Sequence, residues 1–136
     1  MKELILHNKT EEISKLSPFI EEIAEEYGID AATAFNLNLC VEEAVSNVIN
    51  YAYPADEDHT LSVSVEVTKE RITTSVTDEG MLFDPVNEAP QVDVEQSAEE
   101  RPVGGLGIFL IRNIMDEVSY KRELDRNILT MIKNLE

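Results

Sequence analysis

Three side chains that offer oxygen ligands stand at helical spacing in the apolar stretch after residue 30. Glu43 and Asn47 are four residues apart and Asn50 follows three residues later, so the three share one face of a helix. Oxygen ligands of this kind suit Mg²⁺, which is held by few protein groups together with phosphates. The alternative is a solvated polar stripe, and the helix taken by itself leaves both interpretations open.

A second candidate follows a run with the period of a β-strand. Asp78 stands at the end of that run, and Gly80 lies in the turn after it. A carboxylate at a strand end can point into a cleft and accept a hydrogen bond from an exocyclic amine such as that of adenine. Asp and Gly are also common in simple turns, which is the alternative interpretation.

The third candidate is a glycine-rich segment that opens a predicted helix and contains Arg101, Gly104, Gly105, Leu106 and Gly107. Free N–H groups at a helix start bind phosphate, and glycine lets the phosphate approach the backbone. Arg101 is a lone cation beside this turn, which suggests a contact with an anion. No Lys-Ser/Thr pair follows and no strand directly precedes, so the segment is neither a P-loop nor a dinucleotide fingerprint. A flexible connection with a solvated arginine is the alternative.

Hydrophobic periodicity indicates the elements that position these candidates. Pro18 predicts a kink in the first helix, or a restart with Ser17 as its cap; Gly28 ends that helix and Asp30 caps the second. Helices on one face of a mixed, mostly antiparallel sheet would give an α/β (α+β) two-layer sandwich. The predicted elements are strand 2–7, helix 10–27, helix 30–51, a hairpin of strands 61–67 and 72–77, helix 106–117, and strands 118–123 and 128–132.

The segment 84–103 interrupts this pattern. It contains three prolines and several acids, and it has no convincing period. Segments of this length in a compact domain are usually lids or binding loops. The chain of 136 residues has the size of one domain, so we expect a single domain over 1–136 with a nucleotide lid at about 84–103.

Composition limits the partners and the compartment. The formal net charge of −17 disfavours direct binding to nucleic acid or to an anionic membrane surface, and it allows a basic protein partner. The single cysteine excludes an internal disulfide, and two scattered histidines with one cysteine make no zinc site. The sequence shows neither a signal peptide nor an apolar run of membrane-spanning length, so we expect a cytoplasmic protein.

Taken together and in this order, the three candidates resemble the GHKL ATPase superfamily, and within it the anti-sigma-factor serine kinases. Residues 42–53 (EEAVSNVINYAY) resemble the family's N box, and 78–80 (DEG) with 83–85 (FDP) resemble its G1 box. Residues 101–108 (RPVGGLGI) resemble its G2 box, and 127–130 (NILT) its closing strand. The resemblance covers nearly the whole chain and implies the histidine-kinase-like ATP-binding (Bergerat) fold.

The resemblance also implies roles for these residues. Asn47 would be the Mg²⁺ ligand and Glu43 the catalytic base; Glu42 precedes Glu43, but the four-residue step to Asn47 favours Glu43. The remaining implied contacts to ATP are Asp78 on the adenine amine with Thr130 in support, Arg101 on the terminal phosphates, Gly80, Gly104, Gly105, Leu106 and Gly107 in the surrounding turns, and Asn50 near the metal. One departure is Leu82, where many members have a second glycine in the G1 turn.

The function implied by the resemblance is Mg-ATP-dependent phosphorylation of a serine on an anti-sigma-factor antagonist. It also implies mutually exclusive binding of a sigma factor, and homodimers are common in the family. The alternative is a non-catalytic module that binds ATP and regulates a partner by association alone. Glu43 favours the enzyme, because a pure binder has no need of a catalytic carboxylate.

Overall fold

The computed structural model describes residues 1–54, 57–81 and 105–135, and the architecture follows from alternation of buried and exposed side chains. In chain order the elements are β1 (Lys2–His7), α1 (Leu16–Tyr27), α2 (Ala31–Asn47), β2 (Thr60–Val67), β3 (Arg71–Asp78), α3 (Gly105–Ile114), β4 (Glu117–Glu123) and β5 (Arg126–Asn134). The strands form one sheet in the order β1-β2-β3-β5-β4, and every neighbouring pair is antiparallel. The two-layer α+β prediction is confirmed, and no parallel pair occurs among the described strands.

The sheet has one apolar face and one polar face. In β2, Leu61, Val63 and Val65 are buried, whereas Ser62 and Ser64 between them are only partly covered. β3 and β5 alternate in the same way. The buried faces of α1, α2 and α3 belong to the same core cluster as these strand residues, so the helices cover one face of the sheet.

The first helix restarts after a 3₁₀ segment, Thr10–Lys15, as Pro18 suggests. Lys15, rather than the expected Ser17, occupies the cap position, and Leu16 is the first helical residue. Pro18 is then third in the helix, within the first turn, where a backbone N–H has no intrahelical partner and its absence costs nothing.

The second helix changes geometry at its end. After Asn47 the chain continues as a π-helical turn, Val48–Ala52, and Tyr53 returns to an extended conformation. A π turn in an α-helix inserts one residue per turn and is frequent at functional sites. The position of Asp30 as the N-terminal cap residue is confirmed, although its side chain makes no capping hydrogen bond.

The third helix ends earlier than the sequence pattern indicated. The expected end was residue 117, but α3 closes at Ile114, and Met115 N–H still bonds to the Ile111 carbonyl. The next amide, of Asp116, donates to the Ile132 carbonyl at 2.9 Å, and the chain then continues as β4 beside β5. Pairing with β5 therefore takes over the backbone groups that a longer helix would have used.

Gly28 provides a test of the backbone requirement at the end of α1. Its φ of 68° lies in the left-handed region, and an added Cβ would meet no atom within 4 Å. We therefore expect Gly28→Ala to lower the free energy of unfolding by about 1 kcal/mol through backbone strain alone. Gly28→Asn should cost less, because Asn tolerates this region. Urea denaturation of the three proteins measures the difference, and an Ala variant as stable as wild type would contradict the assignment.

Candidate functional site

The polar face of α2 points towards the start of α3. A Cβ added to Gly107 would lie 2.8 Å from Glu43 Oε2. The Glu43 carboxylate therefore packs against the backbone of α3 at a position where a side chain would collide with it. The neighbouring Glu42 turns elsewhere, and its Oε1 accepts a hydrogen bond from Asn38 Nδ2 at 3.0 Å. The structure thus separates the two adjacent acids, and Glu43 is the one that faces α3.

Asn47 lies between two cavities. It lines a cavity with Glu43, Asn50 and Gly107, and it also lines a second cavity with Asp78. Its side chain is buried, and within the described part of the molecule its Nδ2 has no hydrogen-bond partner. A buried donor without a partner is costly, and this one is available to an acceptor atom of a ligand.

The second cavity contains the carboxylate of Asp78. The side chain is only 4% exposed, and Oδ1 accepts hydrogen bonds from Gly80 N–H at 2.8 Å and from Asn127 Nδ2 at 2.9 Å. Burial raises the pKa of Asp78 above its ordinary value, and the two hydrogen bonds and the nearby Arg122 charge oppose that rise. The apolar walls of this cavity are Ala44, Val48, Ala52, Val76 and Leu129.

The turn after β3 is fixed against the end of α2. A Cβ on Gly80 would lie 2.3 Å from the Ala52 carbonyl oxygen, so only glycine allows this contact. Met81 N–H donates to the same carbonyl at 2.9 Å, and Glu79 N–H donates to Tyr53 Oη at 2.7 Å. The amides of Met81 and Glu79 are thereby held by Ala52, the last residue of the π-helical turn, and by Tyr53, which follows it.

Sequence reasoning missed three residues that surround Asp78. Asn127 faces it from β5, and Asn127 Oδ1 accepts hydrogen bonds from Tyr120 Oη and from Arg122 Nη1. Arg122 Nη1 also donates to the Gly80 carbonyl at 2.8 Å. The alternation of buried residues in β5 indicates that Asn127 faces the core. That it lies opposite Asp78 follows only from the register between β3 and β5.

Thr130 is the expected site residue that the structure does not bring to Asp78. In β5 the buried positions are 127, 129 and 131, so Thr130 points to the opposite face of the sheet. Its Oγ1 lies 3.3 Å from Ser75 Oγ on that face. The expected support of Asp78 by Thr130 is therefore wrong in geometry, and Asn127 occupies the corresponding position.

The remaining expected residues are only partly described. Helix α3 begins at Gly105 and includes Leu106 and Gly107, which agrees with a glycine-rich helix start. Asn50 lines the Glu43 cavity, and its Nδ2 donates to Ser46 Oγ at 3.2 Å. Arg101, Gly104 and the expected lid at 84–103 lie outside the described residues.

The donor set around Asn47 suits a magnesium ion that is bound together with phosphates. Glu43, Asn47 and Asn50 present carboxylate and amide oxygens on one cavity wall, which are hard ligands. No group of three or more His, Cys, Asp or Glu side chains that could hold a metal occurs in residues 1–54, 57–81 and 105–135. A metal here would need further oxygens from a ligand. Asn47 Nδ2, which has no hydrogen-bond partner among the described residues, is a donor and would suit a phosphate oxygen rather than the metal.

The two cavities that share Asn47 differ in their chemistry. Asp78 offers a buried hydrogen-bond acceptor among apolar walls, whose chemistry suits a heterocycle with an amine; the cavity of about 20 Å³ has to widen to admit one. Glu43, Asn47 and the helix start at Gly105 offer oxygen ligands and a helix N-terminus, which suit a metal and phosphates. This combination is the one expected of a nucleotide-binding module.

Sequence comparison agrees with that class. The family model described as the histidine kinase-like ATPase domain matches residues 6–133, so the chain belongs to this family. The resemblance to the GHKL superfamily that the motifs suggested is thereby confirmed.

Three curated relatives are kinases by name. Serine-protein kinase RsbW of Listeria monocytogenes is 31% identical over 99 residues, which is 71% of this chain and 63% of the relative. RsbW of Halalkalibacterium halodurans is 29% identical over 89% of this chain and 75% of its own length. Serine/threonine-protein kinase BtrW of Bordetella bronchiseptica is 27% identical over 83% and 79%. The chain thus spans under two thirds of the Listeria relative.

Solved structures show the same fold. A chain of the SiaB–SiaC complex from Pseudomonas aeruginosa superposes with a TM-score of 0.59 at 15% identity, covering 97% of this chain and 89% of the other. The histidine kinase domain of Erythrobacter litoralis EL346 gives 0.53 at 16% identity, covering 90% and 60%. Among the described helices, none has the length and apolar character to cross a membrane.

The raised pKa of Asp78 predicts a pH dependence of stability. Burial disfavours the charged carboxylate, so the charged Asp78 lowers the free energy of unfolding. This destabilisation is fully present above the folded-state pKa and disappears as the pH falls below the ordinary pKa of 3.8. We therefore expect wild type to gain stability relative to Asp78→Asn as the pH is lowered from 7 towards 4. Denaturation at several pH values measures this trend. The exposed Asp125→Asn is the control, and a constant difference for Asp78→Asn would contradict the prediction.

Proposed function

We propose that the protein is an ATP-dependent serine protein kinase of a partner-switching system, which phosphorylates a serine on an anti-sigma-factor antagonist. The observation that carries the proposal is the position of Asn47 in the wall between two cavities. One cavity is lined by the buried acceptor Asp78, and the other by Glu43 of α2 and by Gly107 near the start of α3. A nucleotide that spans the two would have its base at Asp78 and its phosphates at Asn47.

The relatives supply the reaction class. RsbW and BtrW carry the names of serine and serine/threonine protein kinases, and the chain aligns with them over most of its length. The fold is also that of a chain in the SiaB–SiaC complex. The motif resemblance implies the partners, which would be the antagonist that carries the acceptor serine and a sigma factor that competes with it, both in the cytoplasm.

Each residue has a defined part in this mechanism. Asp78 accepts a hydrogen bond from the adenine amine, and the apolar walls exclude water from the base. Asn47, supported by Asn50, would hold the magnesium ion, which when bound neutralises phosphate charge. Glu43 lies one helical turn before Asn47 and would orient the serine hydroxyl or accept its proton. Phosphoryl transfer needs positioning and charge stabilisation more than covalent help from the protein.

ATP binding can be tested at the base side of the cleft. Asp78→Asn presents amide donors where the adenine amine needs an acceptor, and we expect ATP affinity to fall by about 1.5–3 kcal/mol. Isothermal titration with and without Mg²⁺ measures the loss. Asp125→Asn makes the same charge change in the exposed turn between β4 and β5 and should bind as wild type does. Equal ATP affinity of Asp78→Asn and wild type would place the base elsewhere.

Phosphoryl transfer can be tested with a pair of adjacent acids. Glu43→Gln should lower the rate of γ-phosphate transfer to the antagonist by about 10²–10⁴-fold and leave ATP binding largely intact. Glu42→Gln is the matched control, because Glu42 accepts a hydrogen bond from Asn38 and does not line the cavity that Glu43 lines. The acceptor is obtained by co-purifying partners from the native cell, and labelled γ-phosphate reports transfer.

The outcomes separate the kinase from the alternative module that acts by association alone. If wild-type protein binds ATP and transfers no phosphate to any co-purified partner, the non-catalytic module is correct. If Glu43→Gln transfers phosphate at the wild-type rate, the protein is a kinase in which Glu43 has no catalytic part.

A further inference from the structure

Asn127 is the centre of the hydrogen-bond network beside Asp78. Its side chain is buried, and all its hydrogen-bonding capacity is used. Nδ2 donates to Asp78 Oδ1 at 2.9 Å and to the Met81 carbonyl at 2.8 Å. Oδ1 accepts from Tyr120 Oη and from Arg122 Nη1, the latter at 3.2 Å. A buried network whose members are all satisfied fixes one arrangement of its groups.

The network determines which way the amide of Asn127 faces. A guanidinium only donates hydrogen bonds, so Arg122 requires the amide oxygen on its side. The NH₂ group must then face Asp78 and the Met81 carbonyl, both of which are acceptors. The orientation therefore follows from donor and acceptor chemistry, and Asn127 presents donors to the carboxylate.

One oxygen of Asp78 is consequently occupied. Both hydrogen bonds that Asp78 receives from the described residues end on Oδ1, from Gly80 N–H and from Asn127 Nδ2. A carboxylate oxygen has two lone pairs, so Oδ1 is saturated. The carboxylate can offer an incoming base only its other oxygen.

A single free oxygen discriminates between purines. Adenine presents one amine donor beside a ring acceptor, and one carboxylate oxygen satisfies that amine. Guanine presents two neighbouring donors, N1–H and the 2-amino group, which match a carboxylate with both oxygens free. Where only one oxygen is free, one guanine donor is buried without a partner, which costs binding free energy.

We propose that Asn127 is the positioning residue that makes this site select adenine over guanine nucleotides, by saturating Oδ1 of Asp78. This rests on the proposed ATP-binding function and adds a residue and a selectivity to it. Asn127 also lowers the pKa of Asp78 through its hydrogen bond, so it keeps the carboxylate charged to lower pH.

A pair of variants with the same shape isolates the hydrogen bond. Asn127→Thr supplies a hydroxyl that can donate to Asp78 Oδ1. Asn127→Val has a methyl group in place of that hydroxyl, and both residues are β-branched and suit a strand. Titration calorimetry gives the dissociation constants for ATP and GTP with each protein. We expect wild type and the Thr variant to prefer ATP by at least about tenfold, and the Val variant to lose about tenfold of that preference.

A pH series supplies a measurement that a loss of packing alone would not change. In the Val variant the pKa of Asp78 rises further, so loss of ATP affinity on acidification should begin at higher pH than in the Thr variant. If the Val variant does not fold, Asn127→Ala replaces it. Asn127→Ala also removes both amide donors without adding a β-branch, so the ATP preference should fall in the same direction.

The outcomes distinguish the two levels of the proposal. ATP binding by wild type with equal ATP-to-GTP ratios and pH profiles in the Thr and Val variants overturns the role of Asn127 and leaves the nucleotide function standing. Wild-type binding of GTP as tightly as ATP also overturns it. If wild type binds neither nucleotide, the proposed function fails and the selectivity with it.

Discussion

The Ala52 carbonyl joins the two layers of the molecule at the cleft. It accepts the Met81 amide at 2.9 Å, and the contact is possible because Gly80 has no side chain to collide with that oxygen. The π-helical turn carries the carbonyl away from the path of an ordinary helix and towards the end of β3. Asp78 on the sheet and Asn47 on the helix therefore line one cavity, and the rest of the site depends on that junction.

Local patterns predicted the elements and one half of the site. Period-two alternation predicted β2 and β3, and the helical period predicted α1 and α2. The spacing of Glu43 and Asn47 correctly placed both on one face of α2, where they line the same cavity. These features depend on residues that are neighbours in sequence. Alternation also predicts which face of the sheet a side chain occupies. It does not predict which residue of the neighbouring strand lies opposite.

The errors arise where distant segments meet. Asn127 lies opposite Asp78 because of the register between β3 and β5, which are separated by about fifty residues, and Thr130 falls on the other face for the same reason. Helix α3 stops at Ile114 because Asp116 bonds to β5, a partner that no local signal indicates. The cap of α1 at Lys15 was missed because a 3₁₀ segment leads directly into the helix.

The shared wall at Asn47 has a thermodynamic consequence. One side chain that borders both cavities cannot adjust to an occupant of one without altering the other. Occupation of the base cavity and of the phosphate cavity are then linked, and linkage is reciprocal: whatever factor a metal ion adds to the affinity for the nucleoside, the nucleoside adds to the affinity for the metal. Asn47 Nδ2 has no hydrogen-bond partner among the described residues, so a ligand that orders this side chain in one cavity would spare a ligand in the other cavity that ordering cost.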